Sequence, residues 1–323
     1  MLNPHAPASP TRALVAGQEG MVGRALTRAL RARGVPLIDA PRASLDLRDQ
    51  AAVHRLFDAA RPDLVLLAAA RVGGIAANIA APADFILDNL LIQTHVIEAA
   101  LRFGVTRLLF LGSSCIYPTN APLPLRERSL FTGPLEVTNA PYAAAKLAGI
   151  QLCQAINAQH GTRYRCVIPP NLYGPFDRFD PLRSHVVPAL MLKLRDALAS
   201  NAPSITLWGD GSARRELLHV DDLADACVTL LLDHPPDAVP EVINVGAQQD
   251  LTVLALAHIL RDISGFTGDI LTDPDAPAGV PAKLLDASQI TALGWRPQIP
   301  LRDGLSSTWA WLQHHLPLIE AGR

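Results

Sequence analysis

A phenol and an ammonium four residues apart, in Tyr142-Ala143-Ala144-Ala145-Lys146, are well placed to move a proton. On a helix, positions i and i+4 share a face. A nearby ammonium favours the phenolate and lowers the phenol's pKa, so the tyrosine acts as acid or base near neutral pH. That is the chemistry of carbonyl reduction. Ser113 ends the apolar run "RLLFLGSS", where parallel α/β sheets place their ligands, outside the carboxyl ends of the strands. Ser113 and Tyr142 would hold one carbonyl oxygen between two hydroxyls and stabilise oxyanion character during hydride delivery or deprotonation beside the ketone. Tyr-x-x-x-Lys alone recurs by chance on surface helices, and a serine at a strand end is often a turn former. The order of the three along an alternating α/β pattern sets them apart.

A second pattern points to a dinucleotide. The run Ala13–Ala16 leads straight into Gly17-Gln18-Glu19-Gly20-Met21-Val22-Gly23, then a helical pattern from Arg24 to Arg33. A glycine-rich turn between strand and helix lets backbone N–H groups approach a pyrophosphate closely, although an ordinary glycine turn reads similarly. After the second strand, Asp39 suits a free ribose 2′-hydroxyl and Arg42 suits a 2′-phosphate, while Glu19 disfavours a phosphate. NAD and NADP both remain open on these residues.

The elements that must position these groups alternate strand and helix from Arg12 to about Leu172. Strands are expected at Ala13–Ala16, Val35–Asp39, Leu64–Ala68, Arg107–Leu111 and Arg163–Ile168, and helices at Met21–Arg33, Gln50–Ala60, Pro82–Arg102 and Tyr142–His160. The continuous apolar runs "DLVLLAAA" and "RLLFLGSS" suit parallel strands buried on both faces. The fold expected is α/β, a doubly wound parallel sheet over residues 12–174 with a smaller C-terminal substrate domain. Prolines and turn clusters beyond Asn171-Leu172-Tyr173-Gly174-Pro175 place that second domain at 175–215 and 248–316. A segment at 216–247, carrying the strand-like "EVINVG", returns to the first sheet.

Composition narrows the partners. The chain has 323 residues, 49% of them hydrophobic, and a formal net charge of −2, so no basic field gathers nucleic acid or an anionic membrane. Cys115, Cys153, Cys166 and Cys227 lack C-x-x-C spacing, which suggests neither a metal site nor a disulfide scaffold and fits a cytoplasmic compartment. The lead Met1–Thr11 is expected to be disordered and lacks signal-peptide order. Apolar stretches fall well short of the roughly 20 residues of a membrane helix.

Taken in order, "GQEGMVG", "AAARVGGIAAN", "PADFI", "LLFLGSSCIYP", "PYAAAKLAGI", "NLYGP", "SHVVPAL", "RELLHVDDLA", "INVG" and "KLLD" resemble the extended short-chain dehydrogenase/reductases from Arg12 to the C-terminal helix. Within them, the resemblance is to the branch that epimerises C3 and C5 of GDP-4-keto-6-deoxymannose and reduces its C4 ketone with NADPH to give GDP-L-fucose. It implies Ser113, Tyr142 and Lys146 as the ketone-handling set, with Cys115 and His185 as base and acid of the epimerisation. Related 4,6-dehydratases carry an acid, and 4-epimerases a threonine pattern, where this chain has Cys115. The resemblance further implies Lys146 and Asn171 at the nicotinamide end, Lys193, Trp208 and Arg215 on the GDP moiety, and a homodimer through Pro82–Arg102 and Tyr142–His160.

The chain departs from the pattern twice. Glu19 stands where the branch has an arginine for the 2′-phosphate, although Arg42 matches a second one, so NADH is the alternative cofactor. Ala278-Gly279-Val280-Pro281-Ala282 replaces an Asp-Gly-x-Pro-Arg stretch, which is compatible with another GDP-4-keto sugar such as a heptose. A nicotinamide-binding protein without turnover is the alternative from another class, though such proteins usually lose part of the Tyr-Lys pair.

Overall fold

The structure is a computed structural model describing residues 12–181, 183–276 and 279–321, with side chains described to residue 315. The lead Met1–Thr11 and Ala278 lie outside the described residues. In chain order the elements begin β1 (Ala13–Ala16), α1 (Met21–Ala32), β2 (Leu37–Ile38), α2 (Gln50–Ala60), β3 (Leu64–Leu67), α3 (Ile75–Ala80), α4 (Pro82–Arg102), β4 (Arg107–Leu111), α5 (Ala140–His160) and β5 (Arg165–Ile168). They continue with β6 (Asn171–Tyr173), α6 (Val186–Ser200), β7 (Ser204–Trp208), β8 (Arg214–His219), α7 (Val220–Leu232) and β9 (Val242–Asn244). The last are β10 (Asp250–Thr252), α8 (Val253–Ser264), β11 (Asp269–Asp273), β12 (Ala282–Lys283), α9 (Ser288–Ala292) and α10 (Leu301–Ala321).

Six parallel strands form the main sheet in the order β2-β1-β3-β4-β5-β9. Every residue of β1, β3 and β5 is buried, as a sheet covered by helices on both faces requires. One face packs Phe57, Ile97, Phe110 and Ile150, from the sheet and α2, α4 and α5. The other packs Leu26, Leu30, Leu223 and Ile290, from α1, α7 and α9. The chain reverses its winding beside β1, so the carboxyl ends of β1, β3 and β4 open onto a crevice.

The second strand shrinks from the expected Val35–Asp39 to two residues, because Pro36 has no N–H to give the ladder. After β5, Pro169 and Pro170 interrupt the chain, and β6 pairs with β8 instead (Asn171↔Leu217). Strand β8 also pairs with β10 and β12, whereas β7 and β11 form a two-stranded sheet. Helices α6, α8 and α10 bury Leu190, Met191, Leu256, Leu260 and Trp309 in a third core beneath these strands. The run read as "EVINVG" forms β9, at the edge of the main sheet.

Helix α5 is drawn tightly onto the sheet. A Cβ at Gly149 would lie 2.6 Å from the ring of Phe110 on β4, so only glycine permits this approach. Gln93 of α4 locks it further, donating to the Ala145 carbonyl at 2.6 Å. The consequence is functional, since the same helix carries Tyr142 and Lys146 beside the end of β4.

Candidate active site

The turn after β1 is bare backbone. Gly17 has φ +94°, and a Cβ there would lie 2.7 Å from Ala69 N; one at Gly23 would lie 1.9 Å from the Gly17 oxygen. Gly20 caps α1 with no side-chain bond, so the first-turn N–H groups of Met21, Val22 and Gly23 have no helical acceptor. A cradle with room for no side chain, facing a helix N-terminus, fits a dinucleotide pyrophosphate. Gln18 Nε2 donates to Asp39 Oδ1 at 2.8 Å, tying the turn to the end of β2. Beside Asp39 opens a shallow depression of about 280 Å³, with Pro41, Ser44, Leu45 and Arg55 in its wall. Arg42 is exposed, on the loop just beyond Asp39.

Ser113 follows β4 in extended conformation and caps a short 3-10 turn, Ser114–Ile116, its Oγ accepting from Cys115 N at 3.3 Å. Its hydroxyl also acts on the Tyr142 phenol, drawing that group's pKa down, so the two hydroxyls form a pair. Phe85 packs edge-on against Tyr142, with ring centroids 6.4 Å apart. Lys146 is buried, and Nζ donates to the Leu111 carbonyl at 2.9 Å over the face of Phe110.

This arrangement corrects one expectation. Burial, and then the neighbouring Cys115, push the Tyr142 phenol up rather than down, with only Ser113 acting the other way. The Lys146 ammonium donates to a backbone carbonyl, and burial lowers its own pKa to about 8. The balance on Tyr142 therefore favours its protonated form.

Cys115 meets a residue to which sequence reasoning assigned no role. Lys283 Nζ lies 3.3 Å from Cys115 Sγ. Burial raises the thiol, but the Lys283 charge and the Ser113 and Lys283 hydrogen bonds outweigh it and hold the thiol below its ordinary pKa, against a small opposing push from Glu136. A cysteine beside a lysine is the microenvironment of a reactive thiolate. Lys283 ends β12 beside Arg215 of β8. The string "KLLD" contained it, but no local spacing connects it to a cysteine 168 positions earlier.

His185 stands at the N-cap of α6, keeping solvent contact within the cleft. Its loop is seated by Gly74, whose N–H donates to the Arg183 carbonyl at 3.0 Å and whose absent Cβ would meet the Ser184 carbonyl at 2.5 Å. Desolvation, and then the charges of Lys283 and Arg178, lower the His185 pKa. Its imidazolium is thus a stronger acid, and Lys283 acts on both Cys115 and His185.

Farther out, Lys193 Nζ donates to the Thr206 carbonyl at 2.6 Å and sits 5.8 Å from the ring centroid of Trp208, which is half exposed. Arg215 donates to the Val280 carbonyl at 2.8 Å and interacts electrostatically with Cys115, linking that thiol to this outer wall. Asn171 is half buried at the start of β6; two residues earlier, the Pro169 carbonyl accepts from Ser114 N at 3.0 Å. Ala282 is half buried on β12, one residue before Lys283.

Residues 13–246 match the NAD dependent epimerase/dehydratase family. The chain is 49% identical over 302 residues to the probable GDP-L-fucose synthase 1 of Oryza sativa subsp. japonica, covering 93% of this chain and 91% of that one. It is 47% identical over 310 residues to the GDP-L-fucose synthase of Escherichia coli (strain K12), covering 94% and 97%. Among solved structures, the GDP-6-OMe-4-keto-L-xylo-heptose reductase from C. jejuni superposes with a TM-score of 0.90 at 32% identity, covering 96% of this chain and 99% of the other. The GDP-mannoheptose C4 reductase from Campylobacter jejuni, with NADP bound, gives a TM-score of 0.85 at 34% identity over 95% and 99%. With the family matched across most of its length and near-half identity to two synthases, the chain belongs to the NAD dependent epimerase/dehydratase family, on its GDP-L-fucose synthase branch.

Proposed function

We propose that the chain is a 3,5-epimerase and 4-reductase converting GDP-4-keto-6-deoxymannose to GDP-L-fucose with a reduced nicotinamide dinucleotide. The observation that carries this reading is the Cys115–Lys283 contact beside the Ser113–Tyr142 pair. A stabilised thiolate next to a two-hydroxyl ketone site is what deprotonation beside a ketone needs and what reduction alone does not.

The C4 ketone acidifies the hydrogens on C3 and C5. Cys115 takes one as a thiolate, the electron pair moves onto the ketone oxygen, and Ser113 and Tyr142 donate to that oxygen. His185 returns a proton from the opposite face, inverting the carbon; such a positioned acid or base contributes about 10²–10⁴-fold. When bound, the reduced nicotinamide supplies the hydride for C4. Tyr142 passes its proton to the resulting alkoxide, a role suited to a phenol kept neutral by burial. Gly17, Gly20, Met21, Val22 and Gly23 would hold the pyrophosphate of the cofactor, with Lys146 and Asn171 at its nicotinamide end. Lys193 and Arg215 would pair the GDP pyrophosphate, with Trp208 as a packing face.

NADPH is the reductant proposed, with Arg42 on its 2′-phosphate; the heptose reductase solved with NADP supports that choice. The Gln18–Asp39 bond favours NADH as a second reading, because it sets a carboxylate where a ribose 2′-hydroxyl would be accepted. A homodimer through α4 and α5 and a cytoplasmic site of action complete the proposal. Among the described residues, no helix is long and apolar enough to cross a membrane.

The test is incubation with GDP-4-keto-6-deoxymannose in heavy water, with NADPH and NADH in parallel. Deuterium at C3 and C5 in a fucose-type product is expected, and the faster cofactor decides between Arg42 and Asp39. Reduction without deuterium uptake removes the epimerase half. Turnover confined to a GDP-4-keto heptose, the activity class suggested by the 0.90 TM-score neighbour, overturns the sugar assignment.

A further inference from the structure

The thiol and the ammonium that meet in the cleft both sit on slight supports, a three-residue 3-10 turn and a two-residue strand. Behind both lies one buried amide. Asn244, the last residue of β9, is 0% exposed. Its Oδ1 accepts from the Tyr117 hydroxyl at 2.6 Å, and its Nδ2 donates to the Leu125 and Asp286 carbonyls at 2.9 and 3.1 Å. Its backbone N–H donates to Glu127 Oε1 at 2.8 Å. Tyr117 comes two residues after Cys115, and Asp286 three residues after Lys283. Leu125 closes the ring, donating to the Leu284 carbonyl at 2.7 Å and accepting from Asp286 N at 2.8 Å.

The chemistry of this hub is selective. Two of its three side-chain partners are carbonyls, which only accept, so the NH₂ must face them and the amide oxygen must face the phenol. A carboxylate would present no donor to either carbonyl. An alkyl group would take this partner from the Tyr117 hydroxyl and the Asp286 carbonyl and leave the Leu125 carbonyl only the Asp286 N–H.

We propose that Asn244 is a positioning residue that ties the Cys115 turn and the Lys283 segment to the edge of the main sheet and so sets the contact between thiol and ammonium. This rests on the epimerase reading, in which that contact prepares the base. Asn244 touches no reacting atom; it acts through Tyr117 and Asp286. The main sheet, rather than the short strand β12, thereby fixes the geometry of the proton-transfer pair.

Two neutral variants test this without placing a new charge near the thiol: Asn244→Leu, and the milder Tyr117→Phe, which removes one bond. The readout is iodoacetamide alkylation of Cys115 against pH, with Cys115→Ser as the blank because the other three cysteines are buried. Uptake of solvent deuterium into GDP-4-keto-6-deoxymannose and dinucleotide binding are followed in parallel. The thiol's midpoint should move to higher pH, so that alkylation at pH 7 falls about tenfold in Asn244→Leu and about threefold in Tyr117→Phe. Deuterium uptake should fall with it while dinucleotide binding persists. A wild-type midpoint in folded variants overturns the proposal, leaving Asn244 a purely structural residue. If Asn244→Leu does not fold, Tyr117→Phe decides alone. Should Cys115→Ser leave deuterium uptake intact, the epimerase reading fails, while the alkylation midpoints still judge the anchor.

Discussion

The glycine turn proposed to cradle the dinucleotide and the side-chain cluster proposed for proton transfer share one crevice but are built from opposite materials. The cradle is backbone from a single contiguous stretch, Gly17 to Gly23, and its requirement is the absence of side chains. The cluster is side chains from four separate segments, with Ser113 and Cys115 after β4, Tyr142 on α5, His185 before α6 and Lys283 on β12. The cradle therefore accepts Gln18 and Glu19 freely and accepts nothing at Gly23. The cluster accepts varied surroundings but depends on each charge arriving from afar. A site made of local backbone is shielded from distant substitutions, whereas a site made of assembled charges is not.

The sharpest separation of the two regions comes from Cys115→Ser. Deuterium uptake at C3 and C5 should fall about 10²–10⁴-fold, while titration of the dinucleotide by nicotinamide fluorescence stays at the wild-type affinity. A joint loss of both would mean that the regions are not independent. Next in size is Lys283→Met, which keeps length and removes charge. Without the ammonium, burial and Glu136 act on the thiol against Ser113 only and move its pKa up, so the thiolate fraction at pH 7 drops. Turnover there should fall about 10–100-fold, with the acid limb of the rate profile displaced to higher pH. A limb that stays in place would assign the depressed thiol pKa to Ser113 alone.

Gly23→Ala attacks the other region. Its Cβ would meet the Gly17 carbonyl at 1.9 Å, and relief by backbone shift should cost about 1–3 kcal/mol of stability in denaturant titration. Dinucleotide affinity should fall at least about tenfold, in line with a 1.4 kcal/mol loss. Alkylation of Cys115 should be unchanged.

The smallest effect concerns Glu216, behind the cluster. Burial raises its carboxyl to about 7, despite backbone N–H bonds from Leu285, Gln248 and Ala247 that lower it. A folded pKa above the ordinary 4.5 means the folded state binds the extra proton. That stabilising contribution is complete below about pH 4.5 and is lost as pH rises through about 7. Glu216→Gln should flatten the decline of Tm between those values. An unaltered slope would show that other groups govern it.

Much of the fold was legible because parallel strands buried on both faces read as unbroken apolar runs. Ala13–Ala16 and Arg107–Leu111 match their strands residue for residue. Helix α3 was not anticipated, since Ile75–Ala80 is too short to show a period. The departure of β6 into the second sheet follows from Pro169 and Pro170, whose meaning depends on which strands compete for pairing. In the site, Ser113 and Tyr142 were read from residue type and order, whereas Cys115 and His185 were implied only by the family resemblance. The direction of the Tyr142 shift was not legible, because it follows from burial and from Cys115, neither of which the spacing to Lys146 reveals.

The sequence by itself determined the alternation of elements, the glycine turn and the kinds of acid and base available, since propensity, periodicity and backbone freedom are local properties. Only the tertiary structure decided that Lys283 faces Cys115, that Asn244 stands behind both, and that burial pushes the Tyr142 phenol up. Those outcomes depend on Coulomb interaction and desolvation, which vary with distance through space and with burial, and neither is a function of separation along the chain.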